Sequence, residues 1–260
     1  MKKILTGLAG LAVVAVGGLA LASCGGGSIV NTAGNYKEAT YYEEVVPATT
    51  DYTPSAGGYE FRIVIDASLN EDVDITGIGL EEGTARFNYS GTIDSAGNIY
   101  LTGSAFFKGG FQGLKISYNA KGSVYFDGAT NTAYSNVNGE KIKYADASGS
   151  IFTSIFANFA EVIDSNSVVS AYFNDADATY KMATSDSYIK LNVSLADPDA
   201  DMQNEGNVYL ILDADKNFKE FRMDANVQGM SQIIEFVASE KTVEMPEDLE
   251  SYQDYASIGG

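Results

Sequence analysis

The residues that could do chemistry are few. The chain has one thiol, Cys24, no histidine and no tryptophan, and it carries 35 Asp and Glu against 16 Lys and Arg, a formal charge of −19 at pH 7. Without an imidazole, a serine or cysteine nucleophile lacks its usual base and zinc lacks its usual nitrogen ligands. A single cysteine closes no internal disulfide. No glycine-rich phosphate loop opens a helix and no Gly-x-Ser-x-Gly elbow is present. Two-carboxylate chemistry of the glycosidase kind needs a pair at a set separation, and no spacing marks one. Calcium is the one metal the acids invite. Asp197, Asp199 and Asp201, with Asn204 and Glu205 beyond, alternate as oxygen-ligand loops do, but Met202 stands where an EF-hand loop needs glycine and Val208 where it needs a bidentate acid. Asp213, Asp215 and Asn217 fail in the same way at Phe218. Both stretches read better as solvated hairpin loops, so no metal and no cofactor is expected. The acidity repels phosphate backbones, which excludes nucleic acid as a partner. What remains is a non-catalytic protein with one candidate for covalent modification, Cys24.

The elements around Cys24 say where the chain goes. Lys2 and Lys3 precede an uncharged run from Ile4 to Ala22, interrupted by Gly7, Gly10, Gly17 and Gly18. This reads as an export signal over residues 1–23, the other reading being an uncleaved membrane helix. The run ends in Leu21-Ala22-Ser23-Cys24, which resembles the lipobox of bacterial lipoproteins. The resemblance implies that the Cys24 sulfur receives a diacylglyceryl group, that the chain is cut just before it, and that the new amine is acylated. At about 0.8 kcal/mol per buried CH₂, two or three acyl chains hold a protein on a membrane without a spanning helix. The implied partner is therefore a membrane reached through Cys24, and the implied location is extracytoplasmic. Residues 24–58 follow as lipidated Cys and flexible stalk, opening with Gly25-Gly26-Gly27-Ser28 and continuing as low-complexity polar sequence with Pro47 and Pro54. Within them, Tyr36 to Val46 has enough apolar residues for a short helix or a packed arm.

From Tyr59 the pattern has period two. Tyr59, Phe61, Ile63, Ile65 and Ala67 face one way, and Glu60, Arg62, Val64 and Asp66 the other. The alternation returns at Ala85, Phe87, Tyr89, at Leu114, Ile116, Tyr118, and at Ile189, Leu191, Val193, Leu195. Turn signals separate the strands at 95–98, Gly109-Gly110, Asp127-Gly128, Asn138-Gly139 and 213–217. About ten strands are expected between Tyr59 and Met245. A polar opposite face predicts an antiparallel sheet with one side toward water. One segment breaks the rhythm. Near 149–164, Ile151, Phe152, Ile155, Phe156, Phe159 and Ile163 fall at helical spacing and give one apolar stripe, capped by Ser148 or Ser150. Such a helix must lay its stripe on the apolar face of the sheet, as a lid.

This order, meandering strands, the 134–142 hairpin, an apolar helix, further hairpins such as 209–222 and a closing 243–248, resembles the LolA/LppX-like superfamily of exported carriers and lipoproteins over roughly residues 59–250. It differs in having no tryptophan at 140–143. The resemblance implies a mainly β (α+β) fold, a strongly curved antiparallel sheet or unclosed barrel with an amphipathic helical lid on its concave face, and residues 251–260 as a tail. It also implies an apolar cavity for acyl chains. The candidate lining is Phe61, Ile63, Phe87, Tyr89, Ile116 and Tyr118 from the sheet and Phe152, Ile155, Phe156 and Phe159 from the helix, with a lipophilic small molecule as ligand. These residues would equally form a plain core. The competing reading is a surface-displayed adhesion or envelope-interaction module, in which some of the 17 tyrosines bind a glycan or a protein.

Overall fold

A computed structural model describes residues 27–39, 57–69, 80–111, 114–145, 180–196, 205–227 and 230–255. Thirteen strands form one sheet among them: β1 Lys37–Ala39, β2 Gly58–Leu69, β3 Leu80–Ile93, β4 Ile99–Phe111, β5 Leu114–Asp127, β6 Thr132–Val137, β7 Glu140–Tyr144, β8 Tyr180–Ser185, β9 Tyr188–Ala196, β10 Glu205–Asp213, β11 Phe218–Val227, β12 Met230–Ser239 and β13 Gln253–Asp254. Their order is β1-β8-β9-β10-β11-β12-β2-β3-β4-β5-β6-β7-β13, a large curved sheet that does not close. Every pairing is antiparallel except that of β13 on β7. Two meanders, β2 to β7 and β8 to β12, thus lie side by side and join where β12 pairs β2. Both outer edges carry very short strands, which leaves little backbone for a foreign strand to extend.

The alternation read from the sequence sets the faces. Phe61, Ile63, Ile65 and Ala67 of β2, and Ala85, Phe87 and Tyr89 of β3, are all buried in one apolar cluster on the inner face. Burying a side chain such as Phe or Ile contributes roughly 1.5–3 kcal/mol, and this cluster draws on β2 to β6 and β8 to β12. Glycine lets the sheet bend sharply at two places. A Cβ on Gly91 would lie 2.6 Å from the Phe61 ring and 2.0 Å from the Tyr100 carbonyl, and one on Gly103 would lie 2.6 Å from the Tyr89 ring and 2.2 Å from the Asn88 carbonyl. Each aromatic ring therefore leans over the glycine of the next strand.

The turns follow side-chain chemistry. Asn138 (φ 51°) and Gly139 (φ 90°) take the left-handed conformations that a two-residue hairpin between β6 and β7 requires. The Asp94 carboxylate accepts the Ala96 and Asn98 amides across one turn, and Asp213 accepts the Asp215 and Asn217 amides across another. Gly109-Gly110, expected as a turn, instead lies inside β4 opposite Ile116 and Lys115, where the small residues let neighbouring backbones approach: a Cβ on Gly83 would meet the Lys108 carbonyl at 2.4 Å.

Three further expectations change. The stretch 27–39, read as flexible tether, lies along the outer face and ends as β1, paired with β8; of the two readings of Tyr36 to Val46, residues 37–39 follow the packed arm. The tail reading of 251–260 gives way at β13 and at Tyr252, which is buried edge-on against Tyr134. The outer face is not uniformly open to water, because residues 28–36 cover part of it over β9 to β12. The helical lid near 149–164, with Phe152, Ile155, Phe156 and Phe159, falls outside the described residues, as do Cys24 and the acidic stretch 197–204; among the described residues the only helical piece is a 3₁₀ turn, Leu249–Ser251.

Candidate site on the concave face

Strand register arranges the inner face in rows across the sheet. One row runs Phe221, Phe236, Phe61, Gly91, Leu101 and Val124, large side chains except at Gly91, over which the Phe61 ring lies. Two rows along, the composition changes to Gly206, Ala225, Gln232, Ile65, Phe87, Ala105 and Ala120. The row beyond begins Met230, Ala67, Ala85, Phe107 and Tyr118. One end of the concavity therefore carries several aromatic rings, while the other mixes Gly206, Ala225, Ala105 and Ala120 with Ile65, Phe87 and Met230 around Gln232.

Gln232 is 1% exposed, and neither its Oε1 nor its Nε2 has a hydrogen-bond partner among the described residues. It stands on β12 between Met230 and Ile234, all three on the inner face. Burying an amide unpaired costs about 1–3 kcal/mol, so the position is expensive for a residue whose place methionine or leucine could fill. The Tyr89 hydroxyl, one row away, is likewise buried and unpaired. Burial pushes the Tyr89 phenol well above its ordinary pKa, and the neighbouring Tyr118 adds to the shift, so it stays a neutral hydroxyl. The concave wall thus offers a dry apolar surface with two convergent neutral polar groups, the composition of a small-molecule site.

Of the sheet residues read from the sequence as lining, Phe61, Ile63, Phe87 and Tyr89 share this inner wall and are buried. Tyr118 does not line a closed interior. It shares the inner side, at the β5 end of its row, and is 45% exposed, whereas Met230, Ala67, Ala85 and Phe107 of that row are buried. Ile116 lies in β5 opposite Gly109, with its side chain outside those described. Gln232 was missed because a lone glutamine in a strand reads as solvent-facing. The signal was present in Met230, Gln232, Ile234 and Phe236, where three apolar residues alternate on the glutamine's side.

A second polar centre lies on the outer face and holds the N-terminal segment. Glu235 of β12 is fully buried and accepts hydrogen bonds from Ser28 Oγ, the Ile29 amide (3.3 Å), Arg62 (3.0 Å) and Arg222. Arg222 also pairs with Asp224 at 2.7 Å. Burial alone would raise the Glu235 carboxyl, but the Ser28, Arg62 and Ile29 hydrogen bonds and the Arg222 charge outweigh it and hold the pKa below its ordinary value. Further along, the Asn31 amide donates to Glu220 at 2.8 Å, and Lys190 Nζ donates to the carbonyls of Asn31 (2.6 Å) and Ala33 (2.8 Å). The segment crosses β12, β11, β10 and β9 and reaches the sheet edge at β8. Nothing in the composition of 28–36 announces this strap, because its partners lie 157–207 residues away and only Val30 is apolar and buried.

Among the described residues no cluster of acids, histidines or cysteines could hold a metal ion, and no helix is long and apolar enough to cross a membrane. Asp213 spends its carboxylate on the amides of its own loop and on the Asn217 side chain. A comparison with known proteins finds no protein family whose pattern matches the chain and no curated protein similar to it.

Proposed function

We propose that this protein is a membrane-anchored extracytoplasmic lipoprotein that binds a lipophilic ligand, without catalysis, on the concave side of its sheet. The observation that carries the reading is the inner wall itself: apolar residues surround two buried polar groups that have no partner among the described residues, an arrangement that a self-sufficient core has no use for. The curved, unclosed sheet supports kinship with LolA/LppX-like carriers. The helical lid is part of this proposal, and what bears on it is where its stretch lies in the chain. The connection between β7 and β8 leaves near one margin of the sheet and re-enters near the other, and the apolar stripe at 149–164 belongs to that connection.

Acylation of Cys24 would place the body close to the bilayer rather than on a long stalk. Four peptide steps separate Cys24 from Ser28, a reach of at most about 15 Å, and Ser28 is held on Glu235. The test is native mass spectrometry of the acylated protein extracted from its host membrane, together with uptake of a fluorescent lipid. A co-purified lipid mass and saturable uptake are expected; a clean unliganded mass with no uptake would overturn the reading. Cys24→Ser should release the protein from the membrane fraction, and unchanged retention would overturn the anchor.

One observation favours the adhesion reading as an alternative. Tyr100 and Tyr125 (centroids 4.8 Å apart) stand on the outer side of β4 and β5, and Tyr134 on β6 beside them holds Tyr252 edge-on, a row of aromatic faces of the kind that stack on sugars. A glycan-array screen with binding lost in Tyr100→Ala would favour it; silence would leave the row as strand packing.

A further inference from the structure

The unpaired groups on the concave wall also indicate what kind of head the ligand carries, an inference that rests on the carrier reading above. Gln232 presents a donor and an acceptor, and Tyr89 a hydroxyl that is both. Their backbones stand two strands and one two-residue step apart, about 12 Å, on a wall that curves so that their side chains point into the same interior. Among the described residues no cation accompanies them. In β2 to β5 and β12, each described lysine and arginine stands at an outward position: Arg62 faces Glu235, Arg86 pairs with Asp66 at 2.9 Å, and Lys108, Lys115 and Lys121 fall on the same outward register. An anionic head entering this wall would be desolvated without a counter-charge, which is far more costly than burying a hydroxyl or ester that finds a partner. A neutral head with both a donor and an acceptor would instead satisfy what is now unpaired.

We infer that the concave site selects a neutral lipophile whose head carries a hydroxyl or amide donor beside an ester or amide carbonyl, as in a diacylglycerol, and that Gln232 is its specificity-determining residue. The Gln232 Nε2 donates to the carbonyl, its Oε1 accepts from the hydroxyl, and Tyr89 supplies the remaining contact. On this reading the head and the first part of its chains lie against Ala67, Ala85, Ala105 and Ala120, the shortest side chains of the wall, while the Phe61–Phe236 end remains packed core.

The experiment uses the full-length acylated protein in detergent, stripped of lipid, and displacement of a fluorescent diacylglycerol by dioleoylglycerol, dioleoylphosphatidylglycerol or oleate. Dioleoylglycerol should displace at least about tenfold more effectively than either anionic probe, since one uncompensated polar contact is worth about a factor of ten. Gln232→Met, nearly isosteric and without the amide, should weaken dioleoylglycerol about tenfold and narrow the discrimination by the same factor, while the empty variant melts at or above the wild-type temperature. A merely structural glutamine would change melting and leave selectivity alone. Equal displacement by all three probes, or full selectivity in Gln232→Met, would overturn the inference and leave the carrier reading standing. Wild-type protein that takes up no lipid would overturn both, with water as the partner of Gln232.

Discussion

Replacing Glu235 with alanine probes the N-terminal strap directly. The carboxylate is fully buried and receives Ser28, the Ile29 amide, Arg62 and Arg222. Removing one member of a buried ion pair costs about 3–5 kcal/mol, because the partner is left charged and unpaired. Here the two guanidinium groups keep 15% exposure and Arg222 keeps Asp224, so the low end, about 3 kcal/mol, applies. For a domain of this size that corresponds to a fall in Tm of roughly 6–12 °C. Calorimetry reads the global effect. Hydrogen exchange at the Ile29 and Asn31 amides reads the local one, and both should lose protection together. Lys190→Met loosens the same strap at its far end, so the two substitutions should be less than additive. A Tm within about 2 °C of wild type with unchanged exchange at Ile29 would refute the reasoning, since it would mean that the strap contributes nothing to the folded state.

Other outcomes follow from the same geometry. The folded pKa of Glu235 lies below its ordinary 4.5, so its contribution to stability is full above about pH 4.5 and fades as the pH falls through the folded value; acid titration of melting should lose that component in Glu235→Gln, and an identical acid profile would count against it. Gly103→Ala places a Cβ 2.2 Å from the Asn88 carbonyl and 2.6 Å from Tyr89, so it should cost about 1–3 kcal/mol by chemical denaturation; wild-type stability would show that the strands can separate freely there. Phe156→Asp, which sets a charge in the proposed lid stripe, should cost several kcal/mol or prevent folding; a wild-type melt would mean that the stripe is not covered.

The strands were legible because each buries one face: Tyr59 to Ala67 alternates so regularly that its inner set could be named from the sequence. The exposure of Tyr118 was not legible, because alternation gives the side on which a residue stands but not which members of its row are covered. Gln232 and Glu235 were hidden for a related reason. They sit three residues apart on opposite faces of β12, and both are buried by partners or walls that only the β12–β2 pairing and the strap bring near. Glycine and serine near the N-terminus suggested a tether, since composition reports local stiffness and not a distant carboxylate. The expectation of no nucleic-acid partner rests on charge counting alone.

The most direct test of the concave site is methyl and side-chain amide NMR of the full-length protein with and without dioleoylglycerol. The Gln232 side-chain NH₂ signals and the methyls of Ala67, Ala85, Ala105 and Ala120 should shift on loading, while signals from the Phe61–Phe236 end stay in place. Unchanged interior signals, with shifts confined to the outer tyrosines, would contradict the account.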